Sequence, residues 1–218
     1  MKKILAAAVL LALSPAAFAA DFSIGAGGSI GLLSWQDLKG SFSGAPAENV
    51  ERGIPIDIKI FADITTIQFS FGYLFVTAGN QATSVLGATT TTALSSFASY
   101  LTFAAYGKYP FTFGSISIFP VVGLEYRLNL TWTVGGQTRD SLTSAERVSL
   151  NELWLRGGAG MDISFGKMYL RSEVLLGFKP ILGAFDADLM QAAGASGWTS
   201  LSTSYFSADA SILIGYKL

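Results

Sequence analysis

The sequence predicts an all-β fold: an eight-stranded antiparallel up-and-down transmembrane β-barrel with four longer extracellular loops and three short periplasmic turns. Three observations predict it. Over the twenty residues Ser115–Val134, one parity carries Ile116, Ile118, Pro120, Val122, Leu124, Tyr126, Leu128, Leu130, Trp132 and Val134. The other carries Ser117, Gly123, Glu125, Arg127, Asn129 and Thr131, with Phe119 and Val121 its apolar members. A period of two marks a strand because successive side chains leave opposite faces, and this run is far longer than an ordinary globular strand. Second, 50% of the chain is apolar, yet beyond its first residues no apolar run approaches the length of a spanning helix. Alternation disperses apolar residues in that way. Third, connections alternate between long and short, the rhythm of an outer-membrane barrel with both ends in the periplasm.

Met1-Lys2-Lys3, the apolar run Ile4–Leu13 and the small-residue site Ala17-Phe18-Ala19 read as a secretory leader, residues 1–19, cut after Ala19. A retained membrane helix needs roughly twenty apolar residues, and Ser14-Pro15 interrupts this run. Residues 20–218 then form one barrel domain. The chain has no Cys, which forgoes both a lipoprotein anchor and disulfides and leaves stability to the hydrogen-bonded sheet. With Lys2 and Lys3 removed, 12 of the 14 basic residues face 15 acidic ones. That is no basic footprint, so nucleic acid is not an expected partner.

Taken in order, the first strand spans Asp21–Leu32, with Phe22, Ile24, Ala26, Ile30 and Leu32 on one face and Ser23, Gly25, Gly27, Ser29 and Gly31 on the other. Glycine on an inner face leaves room for long side chains from across the lumen. Trp35 to Gly53 is polar and contains Gly, Ser and Pro, so it reads as a loop. The second strand, Ile54–Thr65, sets Ile54, Ile56, Ile58, Ile60 and Ile64 against Asp57, Lys59 and Asp63. Thr65-Thr66 turns into the third, Ile67–Phe75, and residues 78–95 read as a second loop. The fourth, Phe97–Tyr109, points Tyr100, Thr102, Tyr106 and Lys108 inward, and a Pro110–Gly114 turn leads to the fifth, Ser115–Val134. Gly135–Ser149 is the third loop, in which Thr143-x-x-Glu146 has capping-box spacing. The sixth, Glu152–Ser164, and seventh, Met168–Lys179, are joined at Phe165-Gly166-Lys167. A fourth loop, Pro180–Thr199, includes a candidate helix from Asp186 to Gly194, and Ser202–Leu218 is the last strand.

A soluble up-and-down barrel alternates in the same way but turns its apolar set inward. Three features favour the membrane. Charges and glycines share one parity, aromatics gather at strand ends, and the chain finishes on an aliphatic-aromatic strand. Tyr109, Phe111, Phe113, Phe165, Tyr169 and Tyr216 fall near the periplasmic ends, with Trp132, Phe178 and Phe206 toward the others. Two such belts suit the membrane interfaces.

Lys108-Tyr109-Pro110-Phe111, Pro120-x-x-Gly123-x-Glu125-Tyr126 and Tyr169-Leu170-Arg171-x-Glu173 look like segments of small barrels of spirochaetes and other diderm bacteria. Over residues 20–218 the chain resembles the small eight-stranded outer-membrane barrels: OmpX, the adhesin Ail, the opacity proteins and the OmpA membrane domain. The resemblance implies the bacterial outer membrane as location, and outer-membrane lipid, periplasmic chaperones and the barrel-assembly machinery as partners. It also implies a host or surface protein as ligand of the extracellular loops. Leu218 stands where enterobacterial barrels usually end in Phe, although Tyr216 fits; this departure points to a distant lineage.

Little in the chain points to catalysis. Gly27-Gly28-Ser29-Ile30-Gly31 matches the nucleophile elbow, but it sits inside a strand and the chain has no His to serve as base. Barrel enzymes similar in architecture (lipid A deacylase, palmitoyltransferase, phospholipase, omptin protease) use a His, so no enzyme is expected. Without His or Cys the usual transition-metal ligand sets are missing, Asp186-x-Asp188 is too sparse for calcium, and no cofactor is expected. The sharper signal is the inward charge: Asp57, Lys59, Asp63, Lys108, Glu125, Arg127, Glu152, Arg156, Asp162, Arg171, Glu173, Asp209 and Lys217. An eight-stranded interior is just wide enough for side chains to fill it, and balanced charge there should pair and plug the lumen. A selective pore would more often show rings of one sign. The alternatives are a small porin and an OmpW-like channel; the latter needs an apolar tube, which Arg127, Arg156 and Arg171 oppose. At ~3.3 Å per residue and ~45° tilt, the twenty residues of Ser115–Val134 rise roughly 47 Å, against an apolar band of about 25 Å. That strand should project from the membrane, and a surface role through its loops is the expected function.

Overall fold

The computed structural model describes residues 22–42, 44–85, 88–134, 136–180 and 198–218. The expected leader and the candidate helix from Asp186 to Gly194 lie outside the described residues. Ten strands form one sheet: β1 (Phe22–Phe42), β2 (Ala45–Ile64), β3 (Ile67–Val85), β4 (Ala88–Lys108), β5 (Phe111–Phe113), β6 (Ile116–Val134), β7 (Gln137–Thr138), β8 (Glu152–Phe165), β9 (Met168–Phe178) and β10 (Trp198–Lys217). All pairings are antiparallel. β1 pairs β2, β2 pairs β3, β3 pairs β4, and β4 pairs β6. β6 pairs β8, β8 pairs β9, β9 pairs β10, and β10 pairs β1. The path of pairings thus returns to its start, and a hydrogen bond from the Leu218 amide to the Phe22 carbonyl (3.0 Å) ties the last residue to the first strand. No described helix is long and apolar enough to cross a membrane.

The alternation read from the sequence decides what each face of this sheet carries. On β9, Met168, Leu170, Val174, Leu176 and Phe178 are exposed while Tyr169, Arg171, Glu173 and Leu175 are buried. On β2, Ile54, Ile56, Ile58 and Ile60 are exposed against buried Asp57, Lys59, Phe61 and Asp63. Ile58 is 64% exposed and Arg171 1%. Burial is therefore the reverse of that in a water-soluble domain, where Arg is almost never fully buried, and the reverse of a soluble up-and-down barrel.

The first two expected loops are strands. β1 runs on to Phe42 and β2 begins at Ala45, with Trp35 opposite Arg52, Lys39 opposite Glu48 and Phe42 opposite Ala45. The Lys39 ammonium lies 2.7 Å from Asp37 and 3.3 Å from Glu48. Polar composition reads as loop, yet a ladder in water needs only paired backbone, and ion pairs can line it. Residues 78–85 and 88–95 likewise belong to β3 and β4, whose register closes at Val85 opposite Ala88. Thr89–Thr92 is a β-branched run that favours strand despite its polarity.

The expected Pro110–Gly114 turn is also a strand: Phe111–Phe113 folds back on Ile116–Ile118 as a hairpin, with the Thr112 and Ser117 hydroxyls 2.9 Å apart. These short additions, β5 and β7, bring the described strands to ten where the sequence suggests eight. β10 starts at Trp198, earlier than expected. The turn at Thr65-Thr66 forms with Thr65 at φ 53°, a left-handed residue without glycine. In the third loop the capping box forms, starting the one-and-a-half-turn helix α1 (Ser144–Ser149). Thr143 caps it by accepting from the Glu146 amide, and the Glu146 carboxylate accepts from the Thr143 amide at 2.6 Å.

Candidate functional site: the charged interior

Alternation turns every second side chain inward, the charged ones among them, and the strand pairing decides which of those meet. Near the short-turn end they meet at Arg171. Its guanidinium donates twice to Asp63 (2.8 and 3.2 Å), twice to Asp162 (2.7 and 2.8 Å) and once to Gln68 (2.9 Å). All five donors of the fork are used. Asp63 also accepts from the Lys108 ammonium at 2.7 Å, the Ser23 hydroxyl at 3.2 Å and the Tyr169 hydroxyl at 3.1 Å. The rings of Phe61, Phe119 and Tyr169 stand 4.8–5.1 Å from the guanidinium carbon and enclose it. Strands β1, β2, β3, β4, β6, β8 and β9 all contribute to this one cluster.

A second cluster lies toward the long-loop end, around Glu125. This carboxylate accepts from Arg127 at 2.7 Å, from Arg156 at 3.0 and 3.2 Å, and from the Tyr106 hydroxyl at 3.1 Å. Arg156 continues to the Ser207 hydroxyl at 2.6 Å and to Asp209. Glu152 lies 3.6 Å from Arg127 and 3.7 Å from Lys179, and it accepts the Trp154 indole N–H at 2.8 Å. Arg127 lies 4.4 Å over the Trp154 ring.

Beside the Glu125 cluster, Ser29, Asp57, Lys59, Leu74, Thr102 and Leu175 join Glu125, Arg156 and Asp209 around a gap about the size of one water. Asp57 and Lys59 are 3.9 Å apart, and Asp57 Oδ1 is buried without a hydrogen-bond partner. Every inward carboxylate named so far lies within 4.0 Å of a cation, as does Glu173, 3.9 Å from Arg171. None is left free as an unpaired acid or base. Among the described residues no group of His, Cys, Asp and Glu is arranged to hold a metal ion.

Asp57, Lys59, Asp63, Lys108, Glu125, Arg127, Arg156, Arg171, Glu173 and Asp209 are buried, and Glu152 and Asp162 are half-buried. Lys217, grouped with them by alternation, is instead exposed at the short-turn rim, where its ammonium donates to Ser164 at 3.1 Å. Tyr109, Phe111, Phe113, Phe165 and Tyr216 are exposed at that end, and Trp132 is half-buried toward the other. Tyr169, counted from sequence among the rim aromatics, points inward and is 2% exposed.

Sequence reading missed the aromatic cage. Its signal is an aromatic at an inward parity: Phe61 between Lys59 and Asp63, and Phe119 on the polar side of Ser115–Val134. The inner glycines serve these rings, though from the adjacent strand and not from across the lumen. Gly25 sits opposite Phe61 and Gly215 opposite Tyr169. A Cβ at Gly25 would collide with the Phe61 ring, and one at Gly215 with the Tyr169 ring.

No protein-family model matches the chain, and no curated protein matches it. Among solved structures it is similar to the outer membrane protein OprG from Pseudomonas aeruginosa, at 14% identity over 91% of this chain and 96% of that one, with a TM-score of 0.33. It is also similar to the translocator domain of the autotransporter NalP from Neisseria meningitidis. There the identity is 11% over 91% of this chain and 88% of that one, with a TM-score of 0.25.

Proposed function

We propose that the chain is an eight-stranded integral β-barrel of the bacterial outer membrane, plugged by its inward charges, that acts without catalysis through the sheet and loops it projects from the cell surface. The observation that carries this reading is the reversed burial. An uncharged set faces out over Ile54–Ile64 of β2 and along β9, where Ser172 is the one polar member among Met168, Leu170, Val174, Leu176 and Phe178. At ~3.3 Å per residue and ~45° tilt, the 11 residues of β9 rise ~26 Å, close to the apolar band of an outer-membrane barrel. In water the same surface would be a liability, since soluble monomers rarely expose contiguous apolar patches of more than a few hundred Å².

The edge of the band supports the same orientation. Past Ile54 the outward parity of β2 changes to Arg52, Val50 and Glu48, and β1 to β4 continue well beyond it. Outer-membrane lipid contacts the band, with the exposed aromatics of the short-turn end at the periplasmic interface. Periplasmic chaperones and the assembly machinery act during biogenesis. The projecting sheet and third loop are the surfaces offered to a protein ligand in adhesion or a similar contact.

The runner-up is a small porin or OmpW-like channel, and the water-sized gap at Asp57 is what favours it. Mature protein refolded into vesicles and fused to a planar bilayer separates the two. The plugged reading predicts co-flotation with lipid and no sustained current. Steady, ion-selective currents would transfer the assignment to transport. Failure to float with lipid would end both readings. Protease added to intact cells should cut within residues 78–95 and 135–149; protection of both would remove the surface role.

A further inference from the structure

β2 carries an acid and a base that are neighbours without touching. Asp57 and Lys59 sit two residues apart on its inward side, both buried, and the Lys59 ammonium stands 3.9 Å from Asp57 Oδ2. That is beyond hydrogen-bond reach, and among the described residues Lys59 has no closer acid. Asp57 Oδ1, the other oxygen of the carboxylate, is buried with no hydrogen-bond partner. Leaving such an oxygen unmatched is costly, and a polar contact longer than about 3.5 Å is one that a water can bridge.

The sheet builds a chamber for that bridge. Ser29 of β1 and Leu74 of β3 stand opposite Asp57. Gly72 of β3 stands opposite Lys59, and Thr102 of β4 opposite Gly72. A Cβ at Gly72 would come within 2.6 Å of Asp57 Oδ1 and 2.7 Å of Thr102 Oγ1, so the missing side chain is what lets these two oxygens approach one another. Asp57, Lys59, Ser29, Leu74 and Thr102 all line the gap, which is about the size of one water.

The chemistry of the lining selects the occupant. Lys59 offers N–H donors and no lone pair, so it repels a metal ion and needs an acceptor. Asp57 Oδ1 needs a donor, and the Ser29 and Thr102 hydroxyls can give or take. Water accepts and donates at once, and a buried water makes two to four hydrogen bonds of this kind. Cavities that stay dry have apolar walls. This one does not.

We propose that the gap is a binding site for a single water molecule, which accepts from Lys59, donates to Asp57 and is steadied by the Thr102 and Ser29 hydroxyls. The gap is then a closed joint in the plug and not a segment of a pore. The inference rests on the plugged reading and names what completes it.

The test is a crystal structure of the full mature protein, from a preparation that floats with lipid vesicles, at a resolution that shows ordered solvent. It should hold one solvent peak within hydrogen-bond distance of both Lys59 Nζ and an Asp57 oxygen. The double variant Asp57→Leu, Lys59→Met exchanges the pair for apolar side chains, a change buried ion pairs often tolerate. It should lose the peak while still floating and passing no sustained current. Asp57 and Lys59 ordered with no peak between them, or in direct contact, would overturn the inference and leave the plugged reading standing. So would a peak held by oxygens alone and out of reach of Lys59, which would be a cation, or a peak that persists in the double variant. A file of waters running through the gap to both mouths would overturn the inference and the plugged reading together.

Discussion

Arg171 on β9 and Asp63 on β2 are 108 residues apart in sequence and joined by two hydrogen bonds, at 2.8 and 3.2 Å. Strands β10 and β1 stand between them in the pairing order, so the contact crosses the interior and does not follow the wall. Lys108, Asp162 and Gln68 converge on the same pair, within a ring of three aromatic side chains. A buried ion pair of this kind adds little over a well-packed apolar replacement, but it penalises the loss of one partner heavily.

Arg171→Met should therefore destabilise the fold by about 3–5 kcal/mol, since Asp63 and Asp162 are left short of positive charge. Adding Asp63→Asn should recover part of that loss, a non-additivity expected of groups in one network. Urea unfolding in lipid vesicles reads both values. A change of under about 0.5 kcal/mol for the single variant, the range of an ordinary surface substitution, would show that the cluster is not a structural unit.

The Tyr169 ring occupies the space that Gly215 leaves open. Gly215→Val should cost about 1–3 kcal/mol through overpacking, and Tyr169→Ala in the same chain should relieve part of it. The same unfolding measurement checks this, with equal losses in the presence and absence of the Tyr169 ring as the contrary result.

The two charged clusters lie in series along the interior. Under the proposed plug, Arg156→Ala alone should leave the lumen closed, with the Arg171 cluster still in place, and Arg171→Ala alone should do the same. The double variant should pass sustained current in a planar bilayer. Conduction by either single variant would mean that the two clusters are not independent barriers.

The parity of the inward charges was legible because a strand has only two faces, and one misplaced charge would sit among Ile54, Ile56, Ile58 and Ile60. What those charges contact was not legible, since a pair such as Arg171 and Asp63 depends on pairing order and stagger that alternation does not encode. The extensions of β1 to β4 were hidden for a different reason. Lys39, Glu48 and Thr89–Thr92 lie beyond the outward isoleucines, where polar residues occupy both parities and the two-faced pattern disappears although the ladder continues. Phe111–Phe113 was read as a turn because Pro110 precedes it and the strand is only three residues long. Phe61 and Phe119 were visible as exceptions to the alternation, and their purpose became clear only with Arg171 between them.

Glu146 offers a pH test outside the spanning segments. Hydrogen bonds from the Thr143 hydroxyl and amide hold its carboxyl below the usual carboxylate range. A depressed carboxylate contributes its stabilisation above its unfolded value, here 4.5, and loses it as pH falls through the folded one. Start-of-helix order at α1 should therefore persist through pH 4.5 and fade below it. The Glu146 carboxyl and Thr143 amide resonances, followed by NMR, should titrate together with a midpoint under 4.5, and Thr143→Ala should move the Glu146 midpoint back up. A wild-type midpoint at or above 4.5 would contradict the capping box.

The central claim is that the outward isoleucines of β2 face lipid. Single cysteines at Ile54, Ile56, Ile58, Ile60 and Ile64, each spin-labelled in protein refolded into vesicles, test it by collision with oxygen and with a water-soluble nickel complex. The account predicts oxygen-dominated collision at all five, deepest at Ile58 and Ile60 and shallower toward Ile54 and Ile64. Nickel-dominated collision at Ile58 and Ile60 would place that face in water and contradict it.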